Sequence, residues 1–251
     1  MKIRTGLLAA GIALAMLMTP LHNLSSQAQQ NEDVIRIDQL NAEALRLFKA
    51  KKVDAALPLA REALELNEKV FGPESLRVSG AASALADLYI SKNKYKEAEP
   101  LLLRALEIND KELAADNPFF IRTLKNYTCV LYLSELDKKL EDFENSRLEV
   151  LERSAQPDRF WGAVWRVSKP LNVPKPEFPK GVGSGRVLIA ATVDERGKVI
   201  SAENMCGGNV LLVHAALESA NKAQFKPVVV QGIPVRIKGY LPYRFQRESM
   251  F

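Results

Sequence analysis

The stretch KKVDAALPLAREALELNEK, Lys51–Lys69, returns as NKYKEAEPLLLRALEINDK, Asn93–Lys111, at an offset of 42 residues. Identical residues stand at Lys52/Lys94, Ala56/Ala98, Pro58/Pro100, Leu59/Leu101, Ala63/Ala105, Leu64/Leu106, Glu65/Glu107, Asn67/Asn109 and Lys69/Lys111, with Leu66/Ile108 among them. Self-similarity at a fixed period marks a repeat architecture, in which each unit buries its apolar face against its neighbours. Ala98 and Ala105 lie seven residues apart on one helix face. Small residues there let two antiparallel helices approach closely, with Tyr89 and Leu102 filling the remaining space. Pro58 and Pro100 fall early in their helices, where a missing N–H costs little. FGPES (Phe71–Ser75) and AADNP (Ala114–Pro118) supply breaks before the next helices.

This pattern resembles the tetratricopeptide repeat, in the longer 42-residue variety of the kinesin-light-chain type, over about Asp38–Asn117. ADLYISKNKYKEAEPLLLRALEI (Ala86–Ile108) carries the resemblance most closely. It implies a concave surface that binds peptides or proteins. So short an array serves equally as a spacer or as a dimerisation element joining two copies into a homodimer. The following segment, TLKNYTCVLYLSELDKKLEDFENSRLEVLE (Thr123–Glu152), continues helically without the alanine signature, and Glu141 falls where the repeat alanine would stand. We read it as a degenerate terminal unit that caps the stack.

Charge separates this half from the next. Gln29–Ala155 holds 19 Lys+Arg against 23 Asp+Glu, whereas Gln156–Phe251 holds 14 against 7. Opposite signs point to two domains with different partners. The basic half lacks clustered Lys/Arg runs, so nucleic acid is not an expected partner. At the N-terminus, Lys2 and Arg4 precede an apolar run from Leu7 to Met18, and Ser26 and Ala28 occupy the small positions of a cleavage site. Twelve apolar residues fall short of the ~20 needed to span a bilayer. Residues 1–28 are therefore expected to be a cleaved signal peptide, giving a periplasmic protein; the alternative is an uncleaved anchor in the inner membrane. Cys129 and Cys206 are the only cysteines, one on a helical pattern and one in a Gly-rich turn, and are expected to remain two free thiols.

The C-terminal half reads differently. SAQPDRFWGAVWRVSKPLNVPKPEFPK (Ser154–Lys180) loses periodicity and gains proline. GRVLIAATVDERGKVISAENM (Gly185–Met205) reads as a hairpin: Val187, Ile189, Ala191 and Val193 share one face, and DERG turns the chain. VLLVHAALESANKA (Val210–Ala223) carries a helical stripe at Leu212, Ala216 and Ala220. VRIKGYLPYRF (Val235–Phe245) alternates apolar and polar residues. The order is strand, strand, helix, strand. The whole chain thus reads as multi-domain, α then α+β: a repeat domain over 29–155, a linker over 156–175 and a small antiparallel β-β-α-β domain over 176–251.

With these motifs in this order, the segment from Pro176 to Gln246 resembles the TonB C-terminal domain family. PEFP (Pro176–Pro179), GRVLIAATVDERGKV, AALESANKAQFKP and GIPVRIKGYLPYRF are the matching stretches. The resemblance implies a small sheet packed on a helix. It also implies contact with outer-membrane TonB-dependent receptors from the periplasm, in the service of energy-transducing transmembrane transport. Phe225 would anchor the helix end in the core, Pro227 would stop the helix, and QGIPV would lead into the last strand. The Pro/Lys stretch KPLNVPKPEFPK is only twelve residues long, short of the family's long spacer, and the repeats would stand in place of the family's attachment to the inner-membrane motor.

The same resemblance implies that Val235–Phe245 lies at a sheet edge able to accept an extended peptide. Pro242 argues independently for an edge, since a proline is tolerated where its missing N–H would face outward. By strand alternation Tyr240, Lys238 and Arg236 would then face the same open side. Arg236, Lys238, Tyr240 and Arg244 are therefore the candidate partner-binding residues, with a preference for an acidic peptide; the alternative is an edge that Pro242 and Lys238 blunt against aggregation.

Catalytic chemistry is not expected. Beyond His22 in the leader, His214 is the only histidine, and no G-x-S-x-G elbow exists. One histidine and two separated cysteines do not make a zinc site, so neither metal nor cofactor is expected. GVGSGR runs into a strand and not a helix, so it is no phosphate cradle. Two classes of function remain: an accessory of TonB-dependent transport, or a general periplasmic scaffold without a role in energy transduction.

Overall fold

The computed structural model describes residues 7–114, 116–153, 161–164 and 168–246. The positive n-region at Lys2 and Arg4, the first residues of the expected linker (156–160) and residues 247–251 lie outside them. Among the described residues no helix is long and apolar enough to cross a membrane. The chain divides into two compact units, Met1–Lys92 and Asn93–Phe251.

The first unit contains α1 (Leu7–Lys49), α2 (Val53–Phe71) and α3 (Leu76–Ser91), with α2 packed against both others. Its core uses small residues, as the sequence requires: Ala56, Ala60 and Ala63 of α2 and Ala81, Ala82 and Ala86 of α3 are buried. Gly72, at φ +82°, ends α2, and its N–H donates to the Glu68 carbonyl at 3.0 Å. Ser75 then caps α3 by accepting from the Val78 N–H. Arg61 donates 2.6 and 3.1 Å bonds to the Tyr89 hydroxyl, joining α2 to α3.

The second unit begins with α4 (Tyr95–Glu112), α5 (Pro118–Leu133) and α6 (Asp137–Arg153). Asn117 caps α5 through its side-chain oxygen, with Pro118 in the first turn where proline is tolerated. The 42-residue period is visible in the backbone. Helices α2, α4 and α6 start at residues 53, 95 and 137, and α3 and α5 at 76 and 118. Lys51, Asn93 and Glu135, each two residues before α2, α4 or α6, have φ of 62°, 56° and 60°. This register corrects the sequence expectation at Glu141: the residue equivalent to Ala56 and Ala98 is Leu140, which is buried. A leucine fits there because α6 faces a strand across a groove, where the close helix approach that demands alanine does not apply.

A four-stranded sheet follows, ordered β1 (Trp161–Ala163), β8 (Ile237–Phe245), β3 (Gly185–Val193), β4 (Val199–Cys206). Strands β8, β3 and β4 are antiparallel; β1 joins β8 in parallel. The turn between β3 and β4 is held by Asp194, whose carboxylate accepts from the N–H of Arg196 (3.0 Å) and Lys198 (2.8 Å). Those backbone donors hold its pKa below the usual carboxylate range. One face of the sheet packs on α7 (Val210–Asn221), capped by Asn209. Val187, Ile189, Ala191 and Val193 meet Leu212, Ala216 and Ala220 there, matching the expected stripes.

The other face is also covered. Leu188, Ala190 and Tyr240 are buried on it, and α5 packs against β3 and β4. The C-terminal sheet and the last helices of the array therefore share one unit. This changes the outcome for the cysteines. Cys129 of α5 and Cys206 of β4 form a disulfide, with 6.0 Å between their Cα atoms, and are not the two free thiols expected. The two residues are 77 positions apart, and only the docking of α5 on the sheet brings them together.

The proline-punctuated segment after α7 also differs from its expectation. The helix ends at Asn221, well before Pro227, while Phe225 is fully buried in short strand β5 (Gln224–Phe225), paired with β2 (Pro170–Asn172). QGIPV does not lead straight into the last strand. It closes a separate hairpin, β6 (Val228–Val230) with β7 (Ile233–Val235), over Gln231 (φ 50°) and Gly232 (φ 81°). Two consecutive positive φ values are what a two-residue hairpin turn needs to match strand twist.

Candidate partner-binding edge of the C-terminal sheet

Strand β8 pairs with β3 along its whole length, from Val193↔Ile237 to Gly185↔Phe245. Pro242, opposite Leu188, has no N–H to give that ladder. In an antiparallel pair successive residues address opposite sides, so Lys238, Tyr240, Pro242 and Arg244 turn their backbone groups away from β3. The edge so formed is not free along its length. β1 lies against it at Trp161↔Lys238, Gly162↔Gly239 and Ala163↔Tyr240. The expectation of an open edge over Val235–Phe245 is thereby corrected: β1 covers Lys238–Tyr240, and only the stretch beyond Tyr240 has no strand beside it among the described residues.

That stretch borders a groove of about 580 Å³, lined on one side by Pro242 and Arg244, on the other by Asp137, Leu140, Glu141 and Glu144 of α6, with Tyr132 of α5 between. Asp137 accepts from two arginines: Arg186 Nη2 at 2.8 Å and Arg244 Nη2 at 2.9 Å. Arg186 also donates to the Tyr132 carbonyl and lies over the Tyr132 ring, 4.6 Å from its centroid. The Tyr132 hydroxyl donates 2.9 Å to the Tyr243 carbonyl. Burial pushes the Tyr132 phenol up to about 12, against the pull of Arg186 and Arg244. The Tyr243 phenol is raised by the same cause, with Ser219 opposing. α5, α6 and the sheet are thus joined by an aromatic residue, two arginines and one shared carboxylate.

The four candidate residues have different fates. Tyr240 is buried, and its hydroxyl donates 2.8 Å to Glu144, itself buried in α6. Arg244 is engaged by Asp137, and Arg236 stands 3.5 Å from Glu195. Lys238 is exposed and lies outside the groove. Only Arg244 of the four lines the groove, and the carboxylates around it outnumber it. Sequence reading missed Tyr132, Asp137, Glu144 and Arg186. The signal that could have found the first three is the loss of the repeat pattern over α5 and α6, where Tyr132 and Glu144 replace Ile90 and Leu102 of the preceding unit.

A second, smaller and more apolar groove of about 260 Å³ runs between α4, α5 and α6, lined by Leu103, Leu106, Phe120, Leu124 and Phe143 among others. Phe143 meets Tyr127 edge to face at 5.1 Å. Burial, with Glu99 adding to it, raises the Tyr127 phenol to about 12. Among the described residues no cluster of His, Cys, Asp and Glu is arranged to hold a metal.

Residues 38–111 match the family model of the tetratricopeptide repeat. That span runs from α1 through α4 and contains both copies of the 42-residue repeat. Such repeats generally mediate protein–protein interaction. No curated protein matches the chain.

Proposed function

We propose that this chain is an exported protein-interaction protein whose C-terminal unit engages extended segments of outer-membrane transporters or receptors, as its resemblance to the TonB C-terminal domain family implies. The observation that carries the reading is the outward backbone of β8 beyond Tyr240, bordering a groove, in a strand-strand-helix-strand unit. An extended segment gains main-chain hydrogen bonds by adding to such an edge, and side-chain pockets alongside it give specificity. Export is supported by the Cys129–Cys206 disulfide, since such bonds persist in oxidising compartments.

The test is a photo-crosslinking amino acid in place of Arg244 in the full chain, activated in cells. The expected adducts are outer-membrane proteins. Their absence, with wild-type levels of the chain in the envelope, rejects the reading. The scaffold reading draws on a different observation, the packing of α5 across the second face of the sheet, which places the last helices and the sheet in one compact unit. It is the outcome if the adducts are periplasmic proteins unrelated to transport.

A further inference from the structure

We propose that the β6–β7 hairpin is a membrane-docking element, which seats its apolar outer face and tip in the headgroup region of a bilayer carrying anionic phospholipids. The proposal stands apart from the reading of β8 above and uses none of the residues that line the groove beside that strand.

The composition of the hairpin comes first. Val228–Val230 and Ile233–Val235 supply six apolar residues and no polar one. A strand with apolar residues on both sides needs cover on both sides. This ribbon has it on part of one. Val228 and Val235, paired across its base, pack against the core shared by the sheet and α7. Residues directly opposite each other share a face, so Val230 and Ile233 continue that face toward the turn, where Ile233 is 66% exposed. Val229 and Pro234 form the other face, with Val229 55% exposed and Pro234 exposed beside it.

Charge decides what covers it. Lys226 and Arg236 flank the two strands and are exposed. The Lys226 N–H donates 2.8 Å to the Lys169 carbonyl, and Lys198 forms a β-bridge with Gln224, so two more exposed lysines stand at the same end. Against these four stand Asp194 and Glu195 of the neighbouring turn. Asp194 accepts from two backbone N–H groups, and Glu195 lies 3.5 Å from Arg236. A second copy of the chain would set these cations against their like. An anionic bilayer complements them, at roughly fivefold in affinity for each Lys or Arg near its surface.

The backbone favours the same occupant. Val230 and Ile233 close the two-residue turn as a hydrogen-bonded pair, so Val229 and Pro234 turn their backbone groups outward. Proline has no N–H, so that edge lacks a donor another strand would use. The same lack lowers the cost of placing the ribbon against an apolar phase. Three residues of strand extend about 10 Å, and interfacial elements bury about 5–10 Å into the boundary between headgroups and acyl chains. At that depth the lysines reach back to the phosphates along their apolar stems.

The experiment uses the full chain with vesicles of phosphatidylcholine, alone or mixed in equal parts with phosphatidylglycerol. Ile233→Trp places a fluorophore at the tip. Its quenching by lipids brominated along the acyl chains, over that of Trp161 and Trp165 in the wild type, reports entry of the hairpin itself, whatever the N-terminal apolar run does. Quenching and a blue shift are expected in the mixed vesicles and not in phosphatidylcholine alone. In that background, Lys198→Gln/Lys226→Gln should raise the lipid concentration for half-quenching by roughly tenfold or more. Both side chains are exposed, so the melt should stay that of the wild type. High salt should weaken quenching without any substitution. An unquenched fluorophore at position 233 in the mixed vesicles overturns the proposal, as does equal quenching in both vesicles or in the lysine variant. Concentration-dependent self-association that Val229→Ser/Ile233→Ser abolishes makes a second copy the occupant and overturns it as well. None of these results depends on the crosslinking from position 244.

Discussion

The hydroxyl of Tyr240, at the centre of β8, donates a 2.8 Å hydrogen bond to the carboxylate of Glu144 on α6, and both residues are buried. Glu144 stands 42 residues after Leu102, which is fully buried in the preceding repeat unit. The last helix of the array has therefore exchanged an apolar repeat position for a carboxylate that meets the sheet. Where α4 carries leucine, α6 carries the acceptor that fits a tyrosine of the C-terminal unit.

Removing that hydroxyl should be costly. A hydrogen bond to a charged group is worth about 1.5–3 kcal/mol, and a buried carboxylate cannot turn to water for a substitute. Tyr240→Phe should lose stability of that order in urea unfolding, with an unchanged slope. A loss below about 0.5 kcal/mol would show that the carboxylate is served equally well by other groups.

Breaking the disulfide should loosen α5 from the sheet. The Cys129–Cys206 bridge closes a loop across 77 residues of sequence, for which chain entropy alone predicts up to about 4.5 kcal/mol. The Cys129→Ala/Cys206→Ala chain should melt at lower temperature than wild type in non-reducing buffer, and reducing agent should bring the wild type down to the variant. Peptide mapping that recovers both thiols free from the exported protein would sink the pairing itself.

Alkaline pH should weaken the same contact. The Tyr132 phenol rises from its ordinary 10 to about 12 in the fold. Between those values the folded state keeps a proton that the unfolded state has lost, so stability present below pH 10 falls as pH rises toward 12. Tyr132→Phe should be less stable near pH 8, where the bond to the Tyr243 carbonyl is lost, and should show a shallower decline between pH 10 and 12. Parallel pH profiles for the two proteins would count against this origin.

The turn before α2 offers a gain instead. Lys51 adopts φ 62°, a left-handed conformation that crowds a side chain against its own backbone at roughly 1–2 kcal/mol. Its side chain is exposed. Lys51→Gly should raise stability by about 1 kcal/mol, less the entropy of the glycine in the unfolded chain. Thermal melts of the two proteins measure it, and a destabilised variant would refute the argument.

Much of this architecture was legible in the sequence because it is local. The 42-residue offset between Lys52 and Lys94 fixed the helix starts, since each helix depends on its own caps and apolar spacing. Leu212, Ala216 and Ala220 announced the buried face of α7, and Val187 and Ile189 the face of β3 toward it. The continuous run VLIAA in β3 held a further message, because a strand with apolar residues on both sides is covered on both sides. Alternation reveals that Leu188 and Ala190 need cover, but not what supplies it. That α5 does so, that Cys129 reaches Cys206, that Glu144 receives Tyr240 and that Gly162 lies on Gly239 follow from how distant segments dock. Each contact joins residues whose local patterns carry no trace of one another, and only the tertiary packing decides among the partners a pattern would allow.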